Sequence, residues 1–311
     1  MPTMRVAVAG TGGLARLIAY FIVEGTNHSV VLLSRAEKPG LTNRGFQVVV
    51  VDYSDAEDLR FALRGIDTVI STVTGPNQIQ LIKAAVSSRV RRFAPAEFEG
   101  PPQFRSQNDP LDRSRASARY WLQYYQSSIQ STVFICGVFY ERFQPGGLPQ
   151  SLIALNTGYH GEGTYILDCA RMSAELPALG LGNRANVTIC MTSVRDVANF
   201  VTKALSLPTW PAELHMVGER ITVHNLAILV ERLKKQKFQP RLMHNLNTLR
   251  AELATAGTRR DWIRRMRLHE LIATVEGRYD FSQRNLNAAF PGVQVVSFAD
   301  WFSRKWDLQQ E

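Results

Sequence analysis

Short apolar runs alternate with amphipathic stretches over the first 140 residues of the chain. The runs are rich in β-branched residues, which is typical of strands buried on both faces of a parallel sheet. The stretches between them carry apolar residues at helical spacing. This alternation predicts an α/β fold built from βαβ units, with a doubly wound parallel sheet. The predicted strands are 6–9, 30–33, 48–51, 68–73, 92–95 and 131–136, and the predicted helices are 14–24, 55–63, 78–88 and 113–126.

The pattern loosens after residue 140. Glycine and proline cluster at 144–149, which indicates a boundary or a turn. Short strand-like pieces follow, then a buried strand at 187–191 and a helix that Ser193 opens. We therefore predict a first domain at 1–140, completed by about 186–206. A smaller, discontinuous α+β part at 141–311 would bind the substrate, and its C-terminal helix would pack back.

The composition is that of a folded protein. Of the 311 residues, 45% are hydrophobic and 20% are charged, which suffices for a large core and excludes a mostly disordered chain. Apolar runs stay well below the roughly 20 residues of a transmembrane helix, and the N-terminus shows no signal-peptide pattern. We therefore expect a cytoplasmic protein without membrane contact. Cys136, Cys169 and Cys190 form no CxxC pair, and the histidines lack metal-ligand spacing, so we expect neither disulfides nor a metal site.

Positive charge is concentrated in one segment. The chain has a net charge of +9, and residues 231–267 hold eleven bases and three acids, which is +8 of that total. The segment contains two aromatic residues, Phe238 and Trp262, too few for the stacking surface of a single-strand binder. We interpret the segment as a solvated basic flank and expect no nucleic-acid partner. A surface that docks a protein partner is the alternative.

The first predicted strand ends in a glycine loop, Gly10-Thr11-Gly12-Gly13-Leu14-Ala15, which matches G-x-G-x-x-A. Gly10 permits the tight turn, Gly12 lets the backbone approach a pyrophosphate, and Ala15 keeps the helix close to the sheet. The free N–H groups and the positive helix end then attract the phosphates. Because the loop follows a strand and opens a helix, it predicts an NAD(P)-binding Rossmann fold.

The end of the second strand indicates which dinucleotide is bound. NAD enzymes usually place Asp or Glu there to hold the ribose 2′-hydroxyl. This chain places Ser34 and Arg35 there, with Lys38 three residues further on. A guanidinium suits a 2′-phosphate through charge-assisted contacts, so NADP(H) is the predicted cofactor. The alternative is that Arg35 is a solvated surface residue.

In these motifs the chain resembles the NmrA-like family of atypical short-chain dehydrogenases, which includes the isoflavone-reductase-like enzymes. Fungal members are the most similar. The likeness spans nearly the whole chain, and the arginine–phenylalanine–proline segment on the fifth strand is its most specific part. The supporting segments are Ser34-Arg35, 51–53, 69–75, Gln78, 91–98, 134–139, 192–197 and the C-terminal aromatic helix.

The resemblance implies where the cofactor lies. Arg35 and Lys38 would hold the 2′-phosphate, residues 72–75 would line the central part of the cofactor, and residues 95–98 would border the nicotinamide. A smaller domain would close over the substrate. The predicted cofactor-binding set is Gly10, Thr11, Gly12, Gly13, Leu14, Ala15, Ser34, Arg35, Lys38, Asp52, Tyr53, Thr72, Val73, Thr74, Gly75, Pro95, Ala96 and Phe98.

The chain departs from the family at one catalytic position. Isoflavone-reductase-like enzymes carry a lysine near the start of the helix after the fifth strand, but this chain has no lysine between Lys83 and Lys203. A rough register puts Arg115 in that place, with an offset of two residues as the alternative, and an arginine does not release its proton in a protein. We therefore expect Arg115 to stabilise charge, while Tyr120, Tyr124 or Glu97 moves the proton. The alternative is a solvated helix face that includes Arg115.

Aromatic residues follow the sixth predicted strand. Phe139, Tyr140 and Phe143 would line an apolar pocket for a flat substrate. Core packing is the alternative for these three residues.

The family and the missing lysine leave three functions open. The first is an NADPH-dependent reductase that acts on a C=N, C=O or C=C bond of a small hydrophobic or aromatic metabolite, in fungal secondary, alkaloid-like metabolism. The second is an NADP(H)-binding cyclase of the Pictet-Spengler type on the same fold. The third is a non-catalytic NAD(P) redox sensor that regulates a protein partner. The first two functions need a small-molecule substrate. The oligomeric state stays open, and a homodimer is one option.

Overall fold

The computed structural model describes residues 3–106, 108–155, 161, 163–179, 187–258 and 261–308. Its first half is a six-stranded parallel sheet in the order β3–β2–β1–β4–β5–β6, as the alternating pattern predicted. The strands are β1 (Arg5–Ala9), β2 (Ser29–Ser34), β3 (Gln47–Val50), β4 (Thr68–Ser71), β5 (Arg92–Ala94) and β6 (Gln130–Ser131). The helices of this half are α1 (Gly13–Gly25), α2 (Pro39–Thr42), α3 (Ala56–Ala62), α4 (Pro76–Ser87) and α5 (Arg115–Tyr124).

The strands alternate their side chains between two cores. Val6 and Val8 of β1 face the core that α1 covers, and Ala7 and Ala9 face the core that α3, α4 and α5 cover. Both sets are fully buried, which explains the continuous apolar runs in the sequence. The strand order reverses between β1 and β4, and ligands of such sheets bind at this reversal.

The predicted strand 131–136 is two strands in the structure. β6 ends at Ser131, and β7 (Val133–Ile135) leaves the large sheet to pair with β12 (Glu213–His215). The N–H of Val133 donates to the carbonyl of Ala212 at 2.9 Å, so the pairing changes within two residues. This shift carries the chain away from the large sheet and toward the second half.

The second half contains three small sheets. β8 and β13 flank β11, β9 and β14 flank β10, and β12 pairs with β7. The remaining strands are β8 (Val138–Phe139), β9 (Leu167–Asp168), β10 (Ser173–Ala178), β11 (Thr188–Thr192), β13 (Glu219–Thr222) and β14 (Arg241–Asn245). The remaining helices are α6 (Val194–Ala204), α7 (Val223–Lys234), α8 (Leu246–Thr258), α9 (Trp262–Val275), α10 (Asn285–Ala289) and α11 (Phe298–Lys305).

Helix α6 belongs to the core of the large sheet although it follows β11 in the chain. Ser193 caps it, because its side chain accepts a hydrogen bond from the N–H of Asp196. Phe200 and Val201 are fully buried in the core that Ile18 of α1 shares. In the described ranges, no helix combines the length and apolar character that crossing a bilayer requires.

Candidate functional site

The glycine loop lies where the carboxyl ends of β1 and β4 meet. Gly10 has a φ of +109°, and its N–H donates to the carbonyl of Leu33 at 2.9 Å. A Cβ at this position would lie 2.3 Å from Oγ1 of Thr72, which is itself bonded to the carbonyl of Ala9 at 2.8 Å. The turn therefore needs glycine, and it directs the N-terminus of α1 toward the cleft.

A cavity of about 170 Å³ runs along this loop. Gly12 and Gly13 present backbone without a Cβ there, which is the surface that a pyrophosphate requires, so the chain fits a dinucleotide. Four predicted cofactor-binding residues belong to the same turns and are neighbours of lining residues in the chain: Thr11, Val73, Gly75 and Pro95. The predicted cofactor-binding residues that line the cavity are Gly12, Gly13, Leu14, Ala15, Thr72, Thr74, Ala96 and Phe98.

Gln78 supports the lining of this cavity at Ala96 from the protein interior. It is fully buried at the start of α4, and its Oε1 accepts a hydrogen bond from the N–H of Ala96 at 2.6 Å. Its Nε2 is a buried donor without a hydrogen-bond partner in the part of the chain that the structure describes. A buried, unpartnered donor is costly unless a ligand or water meets it, so this atom also favours a bound ligand.

The end of β2 carries the positive groups expected for a 2′-phosphate. Arg35 is exposed and Lys38 is half-buried, while Ser34 is buried and Asp52 is exposed. The hydroxyl of Tyr53 is buried and has no hydrogen-bond partner among the described residues. Burial raises the pKa of Tyr53, although the charge of Arg35 opposes the shift, so the group stays a neutral donor. This end of the cleft therefore offers a guanidinium and a hydroxyl donor.

A segment from the second half crosses the glycine loop. We call residues 148–155 the strap; it begins with a single 3₁₀ turn, Leu148–Ser151. The carbonyl of Leu152 accepts a hydrogen bond from the N–H of Gly13 at 2.9 Å. Ile153 and Ala154 of the strap line the cavity that the loop borders.

A second cavity of about 150 Å³ adjoins the first. Its wall combines aromatic rings with one carboxylate and three guanidiniums. The two cavities have five lining residues in common, Phe98, Arg115, Phe139, Ile153 and Ala154. The second cavity is also lined by Glu99, Arg113, Gly137, Val138, Arg142, Leu148, Tyr165 and Tyr279.

Arg115 is the charged side chain at the junction of the two cavities. It begins α5 directly after Ser114, whose φ of 64° is left-handed and turns the chain into the helix. Its Nε donates to the carbonyl of Ala96 at 3.3 Å, and its Nη1 lies 3.0 Å from Oε2 of Glu99. The guanidinium is thus held at this junction by a carbonyl and a carboxylate.

Glu99 is the centre of an ion-pair cluster below the second cavity. Its carboxylate lies 2.8 to 3.0 Å from the guanidiniums of Arg105, Arg115 and Arg278. Burial alone would raise the pKa of Glu99, but these three cations outweigh it and lower the pKa to about 2. The carboxylate is therefore ionised at every physiological pH and holds Arg115 in place.

Glu97 does not face the cleft, which corrects its expected role in proton transfer. It is fully buried, and its oxygens accept hydrogen bonds from Arg119 at 2.7 Å and from Arg105 at 2.9 Å. Glu99 lines the second cavity, and Glu97 lies behind that lining. A carboxylate enclosed by two guanidiniums has no route to a substrate.

Tyr120 and Tyr124 also lie away from the cleft. Their exposed fractions are 63% and 65%, and Tyr120 packs edge-on against Trp121. Five residues along an α-helix rotate a side chain by about 140°, so a helix that turns Arg115 toward the cleft turns Tyr120 away from it. The expected proton-transfer role of these tyrosines is therefore wrong.

Of the three predicted pocket aromatics, Phe139 lines both cavities. Tyr140 and Phe143 are fully buried and pack against Phe298 of α11, with ring centroids 5.2 and 5.7 Å away. A short 3₁₀ helix, Tyr140–Phe143, turns these two rings into the core of the second half. Core packing, the alternative interpretation, is correct for Tyr140 and Phe143.

The lining residues that the sequence did not predict include Glu99, Arg142, Tyr165 and Tyr279. Arg142 pairs with Glu270 at 2.8 Å and lies over the ring of Tyr165. The hydroxyl of Tyr165 is 2.8 Å from Oγ1 of Thr274. The sequence weakly indicated Glu99 as a lining residue, since it directly follows the distinctive fifth-strand segment. Tyr165 and Tyr279 come from segments without a clear pattern, and only the folding of the chain brings them to the cleft.

Known proteins match this chain at both the sequence and the structural level. Residues 9–126 match the model of an NAD(P)H-binding family. Oxidoreductase BOA1 of Botryotinia fuckeliana is 29% identical over 247 residues, which cover 76% of this chain and 77% of that protein. Oxidoreductase swnN of Metarhizium robertsii is 24% identical, with 98% of each chain covered.

Solved structures share the whole architecture. AtPrR2, solved with NADP⁺ and (+)pinoresinol, superposes with a TM-score of 0.72 at 19% identity and covers 98% of this chain and 99% of its own. An isoflavone reductase superposes with a TM-score of 0.72 at 17% identity and covers 97% of this chain and 99% of its own. At these identities the likeness establishes the fold.

Proposed function

We propose that the chain is a member of the NAD(P)H-binding NmrA/isoflavone-reductase-like family and an NADPH-dependent reductase of a small hydrophobic or aromatic metabolite. The observation that carries this proposal is the pair of adjoining cavities with Arg115 at their junction. One cavity borders the glycine loop, and the other adjoins it and has a wall of aromatic and charged side chains. A redox sensor needs the first cavity but not the second.

The end of β2 supports NADPH over NADH. Arg35 and Lys38 supply two cations there, and Tyr53 adds a buried hydroxyl donor. A 2′-phosphate would take charge-assisted hydrogen bonds from these groups. We assign the ribose phosphate to Arg35 and Lys38, the pyrophosphate to 11–14, and the nicotinamide border to Ala96 and Phe98.

When bound, the nicotinamide would supply the hydride. The side chains of Phe98, Phe139 and Ile153 would exclude water from the junction, since they line both cavities. Arg115 would stabilise charge that develops on the substrate, because its guanidinium is fixed there and always protonated. The relatives named above are oxidoreductases of fungi, which supports a role in fungal secondary metabolism.

A turnover assay tests this proposal. Purified protein is titrated with NADPH by fluorescence, and the loss of NADPH absorbance is then followed with a panel of aromatic ketones, enones and cyclic imines. We expect tight NADPH binding and consumption with at least one class. A protein that binds NADPH and NADP⁺ but consumes neither would be a sensor, and conversion of an amine–aldehyde pair without loss of NADPH would indicate the cyclase.

A further inference from the structure

Arg278 comes from a distant part of the chain, yet it reaches the same ion-pair cluster as Arg115. It follows α9, and its side chain is 3% exposed. Its Nη2 lies 2.8 Å from Oε1 of Glu99, and its Nη1 lies 2.6 Å from Oδ2 of Asp109. One guanidinium thus bridges two carboxylates in the first half of the chain.

The backbone around Arg278 is equally constrained. A Cβ on Gly100 would lie 1.9 Å from the carbonyl oxygen of Arg278, so the two backbones touch. Glu99 precedes Gly100, and its own carbonyl accepts hydrogen bonds from the N–H groups of Cys136 and Gly137. Glu99 therefore has little freedom of its own, and the remaining freedom of its carboxylate is fixed by the guanidiniums around it.

We propose that Arg278 is a positioning residue for the reaction: it holds the Glu99 carboxylate, which in turn fixes Arg115 at the junction of the two cavities. This inference rests on the proposed function, since Arg115 acts there on the nicotinamide and the substrate. Arg278 lies in the second half of the chain and Arg115 in the first. The packing of the second half therefore decides where the active guanidinium stands.

The affinities for the oxidised and the reduced nucleotide depend on the position of Arg115. Oxidised nicotinamide is a cation and the reduced ring is neutral, so a guanidinium next to the ring favours NADPH over NADP⁺. The ratio of the NADP⁺ to the NADPH dissociation constant measures that effect without any substrate. We expect the ratio to fall several-fold in Arg115→Met, with Tyr120→Phe, which lies outside the cleft, unchanged from the wild type.

Arg278→Lys is the decisive variant, because it keeps the charge but cannot bridge Glu99 and Asp109 with a planar fork. If Arg278 positions Arg115, Arg278→Lys lowers the ratio toward the Arg115→Met value, and the double variant is no lower than Arg115→Met alone. A ratio equal to that of the wild type overturns the inference and leaves the reductase intact. A wild-type protein that binds neither nucleotide overturns both proposals.

The strap carries a second inference, on independent observations. The N–H of Gly13 donates to the carbonyl of Leu152 at 2.9 Å, and a Cβ on Gly13 would lie 1.8 Å from the carbonyl oxygen of Ser151. Two strap carbonyls therefore lie beside Gly13 at the N-terminus of α1, and one of them accepts the Gly13 N–H, a group that a pyrophosphate takes in a Rossmann fold. Carbonyl and phosphate oxygens cannot occupy the same place.

The strap is held in this position by defined contacts. Buried Gln144 donates through Nε2 to the carbonyl of Gly147 and to Oγ of Ser151, each at 2.8 Å. The strap also contains two left-handed residues that are not glycine, Leu152 with a φ of 55° and Ala154 with a φ of 56°. Such residues cost free energy, which the contacts of the strap must offset in this position.

We infer that the strap is a gate for the dinucleotide: it must leave the N-terminus of α1 before the pyrophosphate enters. Its residues Ile153 and Ala154 also line the second cavity. The opened strap therefore lacks part of the substrate wall, and the nucleotide must bind before the substrate.

Stopped-flow fluorescence with NADPH tests the gate. In the wild type, the observed association rate should level off at high NADPH, because strap opening then limits it. Ser151→Ala and Gln144→Ala remove strap contacts and should raise the limiting rate at least threefold. Gln150→Ala, an exposed glutamine on the same strap, is the control and should behave as the wild type. A rate that rises linearly with NADPH in the wild type, or the same limiting rate in all variants, overturns the gate.

Discussion

At the scale of single residues, the environment decides what each charged group does. Glu97 and Glu99 are two residues apart, yet one is enclosed by guanidiniums behind the wall and the other lines the cavity. Arg35 is exposed at the end of β2, where its charge is available to a ligand. The residue type alone would not separate these roles.

Reversing the charge of Arg35 tests the 2′-phosphate assignment. Hydrogen bonds to charged groups contribute about 1.5–3 kcal/mol, so Arg35→Glu should weaken NADPH binding about 10- to 100-fold and leave NADH binding almost unchanged. Titration of both nucleotides by fluorescence measures this. Arg44→Glu, also exposed and in the same half, is the matched charge control and should affect neither. Equal losses for NADPH and NADH would contradict the assignment.

The environment of Glu141 predicts how the stability of the protein depends on pH. It is buried beside the N-terminus of α6, where both its oxygens accept the N–H of Val194, and burial raises its pKa to about 7. In the unfolded chain it ionises near its ordinary value of 4.5. The neutral carboxyl group of Glu141 therefore makes its full contribution to the unfolding free energy below pH 4.5. This contribution is lost as the pH rises through about 7.

Glu141→Gln removes this titration. Between pH 5 and pH 8, the unfolding free energy of the wild type should fall by about 2.5 kcal/mol relative to that of Glu141→Gln. Urea unfolding of both proteins across this range measures the difference. Parallel pH profiles would show that Glu141 stays ionised in the folded protein, held by the helix N-terminus.

At the scale of elements, one buried arginine ties the large sheet to the end of α6. Arg92 of β5 is 1% exposed and donates to the carbonyls of Leu205, Leu207 and Pro208, and its guanidinium lies 5.2 Å from the ring centroid of Trp210. The distinctive fifth-strand segment of the sequence thus has a structural role at this position, separate from the cofactor.

Arg92→Met should therefore destabilise the fold and spare the site. It leaves the carbonyls of buried Leu205, half-buried Leu207 and exposed Pro208 without this donor, and we expect the change to cost about 3 kcal/mol of unfolding free energy. The neighbouring Arg91→Met removes a half-exposed pair with Asp67 and should cost less than about 1 kcal/mol. Chemical denaturation of both variants measures the contrast, and equal losses would be inconsistent with the anchoring role.

At the scale of the whole molecule, the basic segment is less solvated than its composition indicated. Arg264 and Arg267 of α9 pair with Glu175, a buried residue of β10, and His244 lies 3.2 Å from the same carboxylate. Arg259 and Arg260 lie outside the described residues. Part of the positive charge thus connects α9 to a small sheet, and the interpretation as a solvated flank is wrong for that part.

The dinucleotide should also stabilise the molecule as a whole. Its predicted contacts come from β1, β2, β4 and β5, so only the folded sheet assembles them. A ligand at 100 times its dissociation constant adds about 2.7 kcal/mol, which should raise the melting temperature by several degrees. Thermal unfolding with NADPH, and with NADH at equal concentration, measures this. A larger shift with NADH than with NADPH would contradict the predicted cofactor preference.

The sequence by itself determined the parallel sheet and its glycine loop, because these depend on local periodicity and on backbone positions where glycine is required. It also placed Arg115 at the start of α5. The tertiary structure decided which side chains face the cleft. Tyr120 and Glu97 lie near Arg115 in sequence but point elsewhere, whereas Tyr165, Tyr279 and Arg278 arrive from residues that carry no local signal. Side-chain direction depends on how the two halves pack, and spacing along a chain does not record that packing.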